Sequence, residues 1–150
     1  MEWSSILTAV GRSLTGDRDG GREALEACWA ETEPRDHAYR CVLAHYLADV
    51  QDSLDDEVAW DRRALDEYPR LSRDALVPVG IPDAAGLAPS LHLNLGDGYR
   101  RQGRFAEAAD QLHQGQTTVE VLPDDGYGRM IREGLDRLAD RLRHASTTDR

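Results

Sequence analysis

The sequence predicts an all-α domain of antiparallel helical hairpins, and three observations lead there. Apolar residues recur at steps of three and four, the spacing of one helix face, along nearly the whole chain. Glycine, proline and aspartate cluster between these runs and cut them into segments of helix length. With 150 residues, 40% of them hydrophobic and 31% charged, the chain has the size and composition of one globular domain.

The first hairpin is expected over about 3–31. Trp3, Ile6, Leu7, Val10 and Leu14 form its opening stripe. The run Gly16-Asp17-Arg18-Asp19-Gly20-Gly21 reads as the break, because glycine and aspartate favour turns. A second helix over about 21–31 carries Ala24, Leu25, Cys28 and Trp29, and Pro34 closes the unit. The next hairpin covers about 36–67. Asp36 is the expected N-cap, followed by the stripe Tyr39, Val42, Leu43, Tyr46, Leu47 and Val50. Gln51-Asp52-Ser53 leads into a helix with Leu54, Val58, Ala59 and Leu65, ended by Pro69.

Residues 68–86 read as a long loop. Pro69, Pro78 and Pro82, with Gly80 and Gly86, interrupt any long helix, while Leu76, Val77, Val79 and Ile81 suggest that the loop packs down on something. Helical spacing returns over about 88–116, with Leu91, Leu95 and Tyr99 before Gly103 and Phe105, Ala108, Ala109 and Leu112 after it. A last helix over about 124–143 carries Tyr127, Ile131, Leu135, Leu138 and Leu142. The expectation is thus one domain over 1–144, with a frayed tail at 145–150.

Charge narrows the partners. The net charge is −10, and it is uneven: residues 1–75 hold 17 acids against 9 arginines, and residues 76–150 hold 11 against 9. A phosphate backbone is repelled by the first half, so nucleic acid is not an expected partner, whereas a basic one is steered toward it. All 18 basic residues are arginine, a bias that points to a genome rich in G and C rather than to a mechanism. No apolar run approaches the roughly 20 residues of a membrane-spanning helix. Glu2 stands where a secretory leader carries basic residues, so a cytoplasmic location is expected. There Cys28 and Cys41 read as buried, reduced thiols.

The segment Leu93-Asn94-Leu95-Gly96-Asp97-Gly98-Tyr99, with Gly103, Phe105, Ala108 and Leu112, resembles the tetratricopeptide repeat, a helical hairpin of about 34 residues. Gly96 and Ala108 are small where two helices of a pair cross, Leu95, Tyr99 and Phe105 are large beside that crossing, and Gly103 permits the turn. The middle pair aligns through Ala44, Leu47, Leu54 and Pro69, although it lacks the turn glycine. The resemblance implies a short stacked solenoid of about three pairs plus a capping helix. It also implies a non-catalytic scaffold that binds a protein or peptide in a groove lined by the first helix of each pair. The groove candidates are then Cys41, His45 and Asp49 from the middle pair, and Ser90, Leu93, Asn94, Asp97, Arg100 and Arg101 from the third. Loop 68–86 would border that groove.

Chemistry is sparse. His37, His45, His92, His113 and His144 fall on different helices or their ends, none paired at the i, i+4 spacing of a helical metal site, so no metal and no cofactor is expected. His45 and Asp49 are four apart and form a polar pair on one helix face. The cluster Asp49, Asp52, Asp55, Asp56 and Glu57 is a solvated turn and helix start, or a contact for a basic peptide. Arg100 and Arg101 read as surface charges or, if they face the groove beside Asn94, as a grip for a partner's free carboxylate, which guanidinium binds in two-pronged fashion. Two other readings stand beside the scaffold: a self-associating subunit joined through the apolar loop or the last helix, and an enzyme of unrecognised type using His45 and Asp49 or the acidic cluster.

Overall fold

The stripes become seven α-helices in the computed structural model, which describes residues 1–148 and contains no β-strand among them. The chain divides into two compact units, residues 1–84 and the remainder from residue 85.

In the first unit, α1 (Trp3–Leu14) and α2 (Arg18–Glu31) form a hairpin through Gly16, whose φ of 93° only glycine adopts without strain. Asp17 caps α2 by accepting from the Gly20 amide and is held there by Arg12 at 2.8 Å. Gly20 and Gly21, expected in the break, instead lie inside α2. The reason is the crossing: a Cβ on Gly21 would sit 2.5 Å from Ser13 Cα, so α2 approaches the α1 backbone where only glycine fits. The turn is therefore shorter than its glycines suggest.

The second hairpin pairs α3 (His37–Ala48) with α4 (Leu54–Glu67). Asp36 does not cap α3 with its side chain; it accepts from the Glu33 amide instead. Ser53 caps α4 by accepting from the Asp56 amide, and Asp55, Asp56 and Glu57 fill the first turn, where the helix dipole favours them. Helix α3 contacts α1, α2 and α4, and Cys41, Val42, Leu43, Ala44, Leu47 and Ala48 are all buried. A helix enclosed on several sides has to be apolar on several sides. At the margin, Trp29 of α2 meets Trp60 of α4 edge to face at 4.9 Å, with Arg40 over the first ring and Arg63 over the second.

Residues 68–84 are folded rather than open. They contain two 3-10 turns, Tyr68–Arg70 and Val77–Val79, the second packed against α1, and Leu76 is fully buried. Ala84 donates to the Arg73 carbonyl and Arg73 pairs with Asp83, closing the segment on itself.

The second unit contains α5 (Ala88–Arg101), α6 (Phe105–Thr118) and α7 (Gly126–Thr148). Helix α5 stops at Gly103 (φ 79°), where the Arg104 amide donates to Tyr99 O and the Gly103 amide to Arg100 O, the hydrogen bonds of a Schellman ending. The Arg104 guanidinium then lies over the Tyr99 ring at 4.3 Å. Phe105 was expected to fill the α5–α6 crossing but is 39% exposed, because it occupies the first position of α6 and points outward. The crossing belongs to Gly96, with Ala108 O and Gln111 Cβ close by. Each helix of this unit offers a glycine to a leucine of another: Gly96 faces Leu138, Gly115 faces Leu135, and Gly134 faces Leu93. Leu122, Ile131 and Leu135, with Leu93, Leu112 and Val119 against them, fill the space between. Helix α7 continues to Thr148, past its expected end near 143. Residues 149 and 150 of the expected tail lie outside the described residues.

Candidate functional site

The expected groove residues divide between the units. In the first, α3 carries Cys41, His45 and Asp49. Cys41 does not face solvent: it is fully buried, its thiol donates to Ala64 O of α4, and burial pushes its pKa up to about 12. Cys28 is buried as well, with its pKa raised by burial and then by Glu31, and both thiols are free. Thiols held protonated in this way are poor nucleophiles.

His45 is half-buried, but its Nδ1 is sealed from solvent and has no hydrogen-bond partner. The expected pairing with Asp49 therefore does not form through that nitrogen. Burial pushes the His45 pKa down to about 4, so the ring is neutral at pH 7. Asp49 is exposed at the end of α3. Its pKa is raised by desolvation and by Glu57, against the pull of Arg18.

The acidic cluster around Asp49 is tied into the fold. Arg18 and Arg22 reach over from α2, donating to the carbonyls of Asp49, Val50 and Gln51 and pairing with Asp52. They place positive charge at the carbonyl end of α3, where the helix dipole is negative. Arg22 also pairs with Asp19. Asp55, Asp56 and Glu57 are the first turn of α4. Most of this cluster thus has a local structural cause.

In the second unit, two expected groove residues lie within the α5–α7 contact. Ser90 is buried and hydrogen-bonded to the Tyr127 hydroxyl, and Leu93 packs over Gly134. Asn94 is half-buried. One turn further along α5, Asp97 gathers three guanidiniums. Arg100 donates to its Oδ1 from Nε at 3.1 Å and Nη2 at 2.9 Å, Arg101 to Oδ2 at 3.0 Å, and Arg141 of α7 lies 3.8 Å away. Three positive charges thus surround one carboxylate, and the Arg141 side chain is more than half exposed. Two of the arginines also sit in the last turn of α5, where the dipole favours cations.

Sequence reasoning named Asp97, Arg100 and Arg101 but missed Arg141, which is 40 positions from the nearest of them and arrives only through the packing of α7. Two further polar side chains of this unit are held by internal hydrogen bonds. His92 Nδ1 donates to Gln111 Oε1 at 2.8 Å inside the α5–α6 pair, and Arg132 donates to the carbonyls of Val119, Leu122 and Pro123 at the end of α6. Among the described residues no group of three or more His, Cys, Asp or Glu side chains is placed to hold a metal ion, and no helix is long and apolar enough to cross a membrane.

No protein-family model matches the chain, and neither a curated protein nor a solved structure matches it.

Proposed function

We propose that the chain is a non-catalytic binding module for a carboxylate-bearing segment of another protein, a free C-terminus or an acidic peptide. The observation that carries this is the cluster on α5 and α7, where half-buried Arg100 and exposed Arg141 flank the half-buried carboxylate of Asp97. A guanidinium offers five N–H donors in a planar fork. The bonds to Asp97 use only some of Arg100's five, and Asp97 orients the fork before a ligand arrives. An incoming carboxylate then meets pre-placed positive charge and recovers hydrogen bonds for those it leaves in water.

The tetratricopeptide reading supports the same assignment as a proposal of its own. Gly96 against Ala108, the turn at Gly103 and the hairpin lengths all suit it, and the resemblance implies a ligand-binding face that includes Asp97, Arg100 and Arg101. A basic partner at the acidic cluster is less favoured, because Arg18 and Arg22 already neutralise part of that cluster.

The test uses two pools of random-sequence peptides, one ending in a free carboxylate and one amidated, with binding read by fluorescence polarisation. The free-carboxylate pool should bind preferentially and weaken with salt, and Arg100→Gln with Arg141→Gln should lower affinity about tenfold or more. Equal binding of the two pools, or no effect of the double substitution, would overturn the assignment.

A further inference from the structure

Two arginines of the first unit rest on tryptophans instead of acids. Trp29 of α2 and Trp60 of α4 meet edge to face, and both rings are half-buried, so part of each remains in solvent. The Arg40 Cζ lies 4.8 Å from the centre of the Trp29 ring. The Arg63 Cζ lies 4.4 Å from that of Trp60 and 5.9 Å from that of Trp29. All three distances fall within the roughly 6 Å at which an aromatic face attracts a cation. Among the described residues the partners of Arg63 are these two rings, and Arg40 adds one hydrogen bond, from Nε to Thr32 Oγ1 at 3.0 Å. The acids one turn away on the same helices are engaged elsewhere. Asp66 pairs with Arg62, Glu67 with His37, and Asp36 accepts from the Glu33 amide.

This is an exception in its setting. Residues 1–75 hold 17 acids against 9 arginines, and Arg12, Arg18, Arg22, Arg35, Arg62 and Arg73 each pair with an acid. An aromatic face holds a guanidinium without neutralising it, and a guanidinium has five N–H donors to offer. Two positive charges therefore gather round the Trp29 ring, and acids from outside the chain would relieve their repulsion. Tryptophan and arginine are also the side chains on which binding energy concentrates in protein interfaces. The surrounding excess of acids selects among anions, because it repels a phosphate or a polyanion more than a single carboxylate.

We propose that Trp29, Trp60, Arg40 and Arg63 form a docking surface for an acidic segment of a partner protein. Its carboxylates neutralise the two guanidiniums, and its apolar neighbours cover the exposed parts of the indoles. The surface belongs wholly to the first unit and does not depend on the cluster around Asp97.

The probe is a short peptide of alternating leucine and glutamate with both ends blocked, titrated into the full chain beside its glutamine counterpart. The glutamate peptide should shift the indole N–H resonances of Trp29 and Trp60 and leave that of Trp3, which packs against Tyr39 instead. The glutamine peptide should bind at least about fivefold more weakly, and so should the glutamate peptide to Arg40→Gln or Arg63→Gln. The comparison of peptides on the native chain decides the matter even if a variant folds poorly. Equal affinity for the two peptides, or shifts confined to other residues, overturns the proposal. So does inorganic phosphate shifting the same two indoles at the same concentration, which would make this a site for a bare anion. Blocked ends and a signal from Trp29 and Trp60 keep the result separate from the carboxylate site on α5 and α7.

Discussion

The two units use arginine in opposite ways. In the first, Arg18 and Arg22 reach from α2 to the end of α3 and spend their donors on backbone carbonyls as well as on Asp52, so the charge is absorbed by the fold. In the second, Arg100 and Arg101 hydrogen-bond to the carboxylate of Asp97 on their own helix, and Arg141 of α7 approaches the same carboxylate with an exposed side chain. The acidic cluster is the more conspicuous in the sequence and the arginine cluster the less so. Density of charge along the chain is therefore a poor guide to which surface is available. What matters is whether the neighbouring helix brings compensation.

Packing differs between the units as well, and there the largest effects are expected. Gly21 faces the Ser13 backbone, which cannot move aside, whereas Gly96, Gly115 and Gly134 face leucine methyl groups, the far ends of flexible side chains that can shift. Gly21→Ala should destabilise the first unit by about 3 kcal/mol, and Gly115→Ala the second by about 1 kcal/mol. Urea denaturation of the two variants, with amide exchange to place each loss in its own unit, checks the ratio. Equal costs would mean that the α1–α2 crossing relaxes as readily as the leucines do.

A pH effect comes next in size and belongs to the first unit. The folded pKa of His45, about 4, lies below the ordinary 6.5, so the unfolded chain takes up a proton first as pH falls. Stability linked to this ring is complete above pH 6.5 and is lost as pH drops from there toward 4. The loss should reach up to ~2 kcal/mol at pH 5. His45→Gln should flatten that part of the profile, measured as urea midpoints at pH 7.5 and pH 5. A slope unchanged by the substitution would assign it to carboxylates.

The arginines themselves should give the smallest stability change and the clearest contrast. Arg22→Gln should cost about 1 kcal/mol through lost contacts at the end of α3. Arg141→Gln should cost under ~0.5 kcal/mol, because its ion pair is exposed.

Much of the fold was legible because helix-period stripes survive intact: Ile6 and Val10, Leu43 and Leu47, Leu91 and Leu95, Leu135 and Leu138 are all buried as their spacing implies. The errors have physical causes. Gly20 and Gly21 carry a turn signal that the sequence shares with a close helix crossing, and only the position of Ser13 separates the two. Phe105 is apolar but sits at a helix start, where its side chain turns outward. Cys41 was placed on an open face by analogy with the repeat, although α3 is enclosed on several sides. The site was half legible. Asp97, Arg100 and Arg101 are neighbours on one helix, whereas Ser90 and Leu93 share that helix and are covered by α7. No local pattern gives the register of α7, so neither that covering nor Arg141 was visible.

If the arginine cluster of the second unit binds a ligand while that of the first holds the fold, substitutions in the two separate affinity from stability. The most direct test compares Arg100→Gln/Arg141→Gln with Arg18→Gln/Arg22→Gln, reading urea stability and free-carboxylate peptide affinity on the same samples. The first pair should lose affinity about tenfold or more and keep its stability. The second pair should keep its affinity and lose about 1–2 kcal/mol of stability. The reverse pattern, or both losses falling on one pair, would contradict that separation.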